Sequence, residues 1–169
     1  MYIQYIFIAI YFGYSTGMSP PLSYHYGAQN YKEQRNILLK SLIIVFSTGI
    51  IMMLVGFLLN KPLTYIFISR DEPELIALCE KAIRIYALCY LTMGVSIYAS
   101  SFFTALNNGV VSASISLLRM LVYNLLFIFI TPVLMGGVGI WWGIVFAEAA
   151  AMITSIIFIF ALRKKYQYL

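Results

Sequence analysis

The stretch Ile140–Leu162, IWWGIVFAEAAAMITSIIFIFAL, carries one charged side chain, Glu148, and stops at Arg163-Lys164-Lys165. An α-helix rises about 1.5 Å per residue, so this run reaches roughly 35 Å, enough to cross a hydrocarbon core of about 30 Å. The paired indoles of Trp141 and Trp142 suit one membrane interface, and the basic cluster suits the other. Four further stretches have the same character: Tyr2–Tyr24, Ser41–Leu59, Ile85–Leu106 and Val111–Val133. Apart from Glu148, the one charge inside any of them is Arg119. The sequence therefore predicts an all-α polytopic membrane protein with five transmembrane helices, a single unit over residues 1–169 with no separate soluble domain.

Composition closes the alternatives. Hydrophobic residues make up 62% and charged residues 10%, with a mean hydropathy of +0.89, whereas a soluble domain needs about a quarter charged residues to wet its surface. The net charge of +5 does not point to nucleic acid, because the basic residues form no continuous patch. Lys32, Arg35 and Lys40 share one loop and Arg163, Lys164 and Lys165 the tail. Basic clusters at helix ends mark the cytoplasmic side. That places the C-terminus inside, the segment Asn60–Arg84 outside, and Met1 on the outer side, a start with no basic or cleavable leader that suggests missing upstream sequence. Cys79 and Cys89 stand ten apart, a spacing with no metal or redox pattern, and His25 has no partners for a metal site.

Local signals refine the spans. Tyr14-Ser15-Thr16-Gly17-Met18-Ser19-Pro20-Pro21 mixes small, polar and helix-breaking residues at membrane depth. Backbone interrupted there must be satisfied by neighbouring helices or by water in a cavity, so Gly17, Pro20 and Pro21 are candidates for a helix break or gate, or for a kink made only for packing. Gly27 is placed to end the helix, and Tyr31–Lys40 reads as a helical lead into the second span. Asp71 can cap a helix whose first turn holds Pro73, and that helix is expected to run straight into the third span, with Glu80 and Arg84 paired four apart. Small residues crowd the third and fourth spans, including Ser96, Ser100, Ser101, Ser112 and Ser116, which is how helices approach closely in lipid.

Enzyme chemistry finds no support in these residues. No span holds a carboxylate pair, no nucleophile has a base near it in sequence, and no glycine loop could cradle phosphate. Transport is the better class, and ionisable residues at membrane depth are where it would reside. Glu148, among Ala147, Ala149, Ala150 and Ala151, is either a carrier of a proton or cation, a contact for a cationic substrate, or a structural bond to a neighbouring helix. Arg119 can snorkel to the inner face; it is either a structural salt bridge or carbonyl contact, or a contact for substrate. Asn124 is a weaker candidate.

Several runs together resemble the MATE (multidrug and toxic compound extrusion) family. Phe102-Phe103-Thr104-Ala105-Leu106-Asn107-Asn108-Gly109 is similar to its FQALGxG run, Ser116-Leu117-Leu118-Arg119 to its LSLLR, and Gly139-Ile140-Trp141 with Ala147-Glu148 to its GxW and PxAE. Ser19-Pro20-Pro21-Leu22-Ser23-Tyr24-His25-Tyr26-Gly27-Ala28 resembles QPxxxYxYGA, and Asp71-Glu72-Pro73-Glu74 its acidic helix start. The resemblance implies helices eight to twelve of a twelve-helix, two-lobed transporter, with the N-terminal lobe and seventh helix outside this chain. It implies export of cationic, amphipathic drugs or xenobiotics across the plasma membrane in exchange for protons or sodium, with no other cofactor. A five-helix piece cannot form two opposed lobes, so alone it is not expected to alternate access. It is expected to be a fragment or truncated product, or else to assemble with a separately encoded lobe. Departures include the absence of an acid from Ile85–Leu106, Val145 where the family often has proline, and no glutamine before Pro20. A flippase for lipid-linked oligosaccharides shares the lobe architecture, but few basic residues lie in the spans to meet a pyrophosphate. A non-transporting membrane subunit is the third class.

Overall fold

The computed structural model describes residues 2–67 and 72–168, and every element among them is helical. In chain order they are α1 (Tyr2–Gly27), α2 (Tyr31–Leu58), α3 (Asn60–Phe67), α4 (Pro73–Ala87), α5 (Cys89–Ala105) and α6 (Gly109–Leu117). A π-helical segment, Leu118–Tyr123, joins α6 to α7 (Asn124–Met135), and a 3-10 turn, Gly136–Val138, joins α7 to α8 (Gly139–Tyr166). Asp71, expected to cap α4, lies outside the described residues; Glu72 occupies the cap position without a side-chain bond.

α5 is the axis of the bundle, with α1, α2, α6 and α8 packed around it. Met93, Tyr98, Ala99, Phe102 and Phe103 of α5 are almost wholly buried. Gly94 shows why the middle of α5 is rich in small residues. A Cβ there would collide with the Tyr11 ring of α1 and with Val45 of α2, so three helices cross where one side chain is absent. Above that crossing the Tyr11 hydroxyl donates to the Tyr90 carbonyl at 2.7 Å. α5 and α6 are joined by hydroxyls: Ser100 Oγ lies 3.0 Å from Ser112 Oγ and 2.8 Å from Ser116 Oγ, and Thr104 Oγ1 lies 2.7 Å from Ser112 Oγ.

Among the described residues two stretches, Tyr31–Leu58 and Gly109–Tyr166, are long and apolar enough to cross a membrane, and the pair Pro73–Ala87 and Cys89–Ala105 forms a third if counted together. The 58-residue stretch folds back on itself, since α7 packs along α8. The Thr131 hydroxyl pins that fold: it lies 2.6 Å from the Phe127 carbonyl and 2.7 Å from the Gly139 carbonyl, and its single proton serves one at a time. Large apolar side chains face outward on α2 (Ile43, Ile51, Leu58), α7 (Phe129, Val133, Leu134) and α8 (Ile153, Ile157, Phe160), as a lipid-facing belt requires. α1 is long enough to span, but tyrosine, serine and glycine dilute its isoleucines.

Two expectations need correction. α1 is one continuous helix with Pro20 and Pro21 inside it, not an interrupted one. The missing N–H groups deprive the carbonyls of Thr16 and Gly17, both on exposed residues. The helix ends at Gly27, as expected; the left-handed residue beyond it is Gln29, at φ 55, with Asn30 N–H closing onto the His25 carbonyl at 2.9 Å. α4 does not run straight into α5: the two are bent by 41° at Leu88, a site with neither glycine nor proline. α3 was also not anticipated. It is a short helix held by Thr64 Oγ1 donating to the Asn60 carbonyl at 2.8 Å. The Glu80–Arg84 pair forms at 4.0 Å with Arg84 half exposed, a contact of marginal value.

The C-terminus folds back onto the bundle. Gln167, at φ 55, turns the chain, and the buried Tyr168 donates its hydroxyl to the Ile159 carbonyl at 2.8 Å. Its ring stands edge-on to Phe102 at 5.0 Å.

Candidate functional site

Glu148 and Arg119, the two charges at membrane depth, meet. Arg119 Nε donates to both carboxylate oxygens, at 2.8 Å to Oε2 and 3.2 Å to Oε1, and the residues are only 6% and 8% exposed respectively. Arg119 does not snorkel to the surface as one expectation held. A guanidinium with a carboxylate within reach gains more from a charge-assisted bond in low dielectric than from stretching to water.

Local structure accounts for the meeting. On α8 the face that carries Glu148 is otherwise small: Gly143, Ala147, Ala151 and Ser155 are all buried. This brings the carboxylate close to the neighbouring backbone. Arg119 lies in the π-helical segment, where one extra residue per turn breaks the regular ladder of backbone bonds. Asn124 Nδ2 donates to the Arg119 carbonyl at 2.7 Å and so satisfies backbone that the widened turn exposes. One and a half turns further along α8, Thr154 meets the Tyr123 hydroxyl at 2.6 Å, fixing the same segment a second time. Tyr86 at the end of α4 and Cys89 at the start of α5 lie within electrostatic range of both charges. The ion pair therefore sits beside the α4–α5 bend.

Arg119 also lines a small cavity of about 50 Å³ together with Phe12, Ser96, Ile97, Ser100, Ser101, Ile115, Ser116 and Met120. Sequence reasoning treated these serines as packing residues only; their convergence with Arg119 depends on the rotation of α5 against α6, which composition does not record. Of the expected site residues, Glu148, Arg119 and Asn124 are brought together. Gly17, Pro20, Pro21 and Gly27 are exposed on α1, with open space where side chains of the two glycines would stand, and they do not line this cavity. Among the described residues no three His, Cys, Asp or Glu side chains cluster to hold a metal, and both cysteines are free.

The family model for MatE matches residues 1–130, most of the chain. The chain belongs to the MatE family. No curated protein matches. Among solved structures, an outward-facing multidrug resistance MATE family transporter of the MOP superfamily is similar over 99% of this chain, with a TM-score of 0.89 at 19% identity. A MOP superfamily transporter from Pyrococcus furiosus, described as having a binding pocket of reversed polarity that suggests a different function, is similar over 98%, with a TM-score of 0.87 at 20% identity. The chain spans 38% and 37% of those two structures. At such identities the likeness carries the fold, not the substrate. The family match covers Arg119 and Asn124 and stops before Glu148.

Proposed function

We propose that this chain is the C-terminal part of a cation-coupled export transporter in the plasma membrane, in which the Arg119–Glu148 pair takes part in coupling. The observation that carries the reading is a buried ion pair at membrane depth in a MatE-family chain. Charges in such a place are costly and mark ion or substrate pathways. Five crossings are proposed, formed by α1, α2, the bent α4–α5 pair, α6–α7 and α8, with the C-terminus cytoplasmic because Arg163, Lys164 and Lys165 follow the last of them. The opposed lobe and a seventh helix complete the transporter, and rocking of the two lobes alternates access.

Coupling follows from the geometry. Glu148 shares its charge with Arg119 in one state. A proton or sodium ion taken up by the carboxylate neutralises it and releases Arg119 from its partner. The bend at Leu88 and the π-helical segment are the adjacent elements able to move in response, and both touch the pair's surroundings. Cationic amphipathic compounds are the proposed cargo, exported in exchange for the proton or sodium.

The test is retention of a fluorescent lipophilic cation by cells carrying chromosomal Glu148→Gln, compared with wild type and a null allele. The mutant is expected to retain dye as the null does, or to export it with an altered pH dependence. Export equal to wild type at every pH would remove Glu148 from coupling. No difference between wild type and null would remove cationic export itself.

A further inference from the structure

We propose that the serine-lined cavity beside Arg119 is a binding site for a small anion of halide size, filled when Glu148 is neutral. Its physiological use rests on the coupling role of Glu148 proposed above, but its existence does not.

Three observations carry it. First, Ser96 is 1% exposed, lines the cavity, and its hydroxyl has no hydrogen-bond partner. A buried donor left unmatched in a protein interior normally has a partner supplied from elsewhere. Second, the cavity places hydroxyls beside a permanent positive charge. Ser96, Ser100, Ser101, Ser116 and Arg119 all line it; Ser100 and Ser116 are bonded to each other, which leaves Ser96 and Ser101 with hydroxyl protons to offer an occupant. A cation is therefore disfavoured, while an anion meets both charge and hydrogen bonds. Third, the space suits a small occupant. At about 50 Å³ it holds a few water-sized species, each needing roughly 10–15 Å³, and excludes drug-sized molecules. Phe12 and Met120, both exposed, also line it.

Charge balance decides between water and anion. With Glu148 ionised, Arg119 is compensated and water suffices. With Glu148 neutral, Arg119 is an uncompensated buried cation. Among the described residues, the other ionisable groups that interact with the carboxylate are Tyr86 on α4 and Cys89 on α5. Both are neutral in their ordinary protonation state, so neither replaces the lost charge. An anion beside the guanidinium does. Proton and anion then bind with positive linkage, each raising the affinity for the other by the same factor.

The experiment compares thermal unfolding of the purified full chain in detergent, in potassium chloride or bromide against potassium gluconate at equal ionic strength, gluconate being too large for the cavity. Halide is expected to raise the melting temperature of Glu148→Gln by a few degrees at neutral pH, to raise that of wild type only in acid, and to leave the Ser96→Val/Glu148→Gln double variant unchanged. Should the double variant fail to fold, Ser101→Ala/Ser116→Ala in the Glu148→Gln background replaces it, with a reduced shift expected. An equal halide shift with and without the serines means adsorption elsewhere and overturns the site. So does the absence of a halide-specific shift in both Glu148→Gln and acidified wild type, which leaves water as the sole occupant. Dye export is not read in this experiment, so failure of the anion site and failure of the transport role are separate results.

Discussion

Replacing Glu148 with leucine while Arg119 stays leaves a guanidinium without its counter-charge in a nearly closed site. The two side chains are 8% and 9% exposed, so solvent screening offers little relief. Breaking a buried pair in this way costs about 3–5 kcal/mol, two to four powers of ten in the folding equilibrium. Arg119→Met should cost a similar amount for the mirror-image reason, and Arg119→Lys should not rescue, because Nε contacts both carboxylate oxygens and an ammonium lacks that geometry. The double variant Arg119→Met/Glu148→Leu removes both charges and is expected to stand close to wild type, since well-packed apolar replacements of buried pairs are often neutral. Reversible unfolding by sodium dodecyl sulfate in mixed micelles, run on all four proteins, yields the coupling energy from the double-mutant cycle. Single variants that each lose less than about 1 kcal/mol, or losses that simply add in the double variant, would refute a buried, mutually dependent pair.

Asn124→Leu removes the donor to the Arg119 carbonyl and should cost about 1 kcal/mol, seen as a lower unfolding midpoint together with faster amide exchange over Leu118–Tyr123. Gly94→Ala drives a methyl into Tyr11 and Val45 and should destabilise by about 1–3 kcal/mol or prevent folding, a difference read by the same titration. Tyr168 lies beyond the last apolar run, and burial raises its phenol above the ordinary value of 10.0. The sign follows from a folded value above the unfolded one: the tail's contribution is complete below about pH 10 and is lost as pH rises further. Tyr168→Phe should remove that alkaline component from the pH dependence of stability and lose about 1 kcal/mol at neutral pH with the bond to Ile159.

Much of the architecture was legible because lipid constrains composition so severely. The run Ile140–Leu162 is found within Gly139–Tyr166, and Tyr31–Lys40 does lead into the second long helix. The bend at Leu88 was not legible: no glycine or proline marks it. The π-helical segment is equally silent in sequence, although Asn124, five residues after Arg119, is the amide that stabilises it. That Glu148 and Arg119 would each matter could be read from their depth; that they meet could not. They lie 29 residues apart, and whether two helices turn such residues toward each other depends on rotation about their axes. The serine cavity was hidden for the same reason, because hydroxyls that join α5 to α6 and a hydroxyl left unmatched at Ser96 look alike in a list of small residues.

The most direct test of coupling through Glu148 uses inverted membrane vesicles from cells with the chromosomal wild-type or Glu148→Gln allele. An imposed proton or sodium gradient is followed by a fluorescent reporter while a lipophilic cation is added. Wild-type vesicles are expected to dissipate one of the two gradients when the cation is added, and Glu148→Gln vesicles to hold it. Equal dissipation in both would contradict a coupling role for the buried pair.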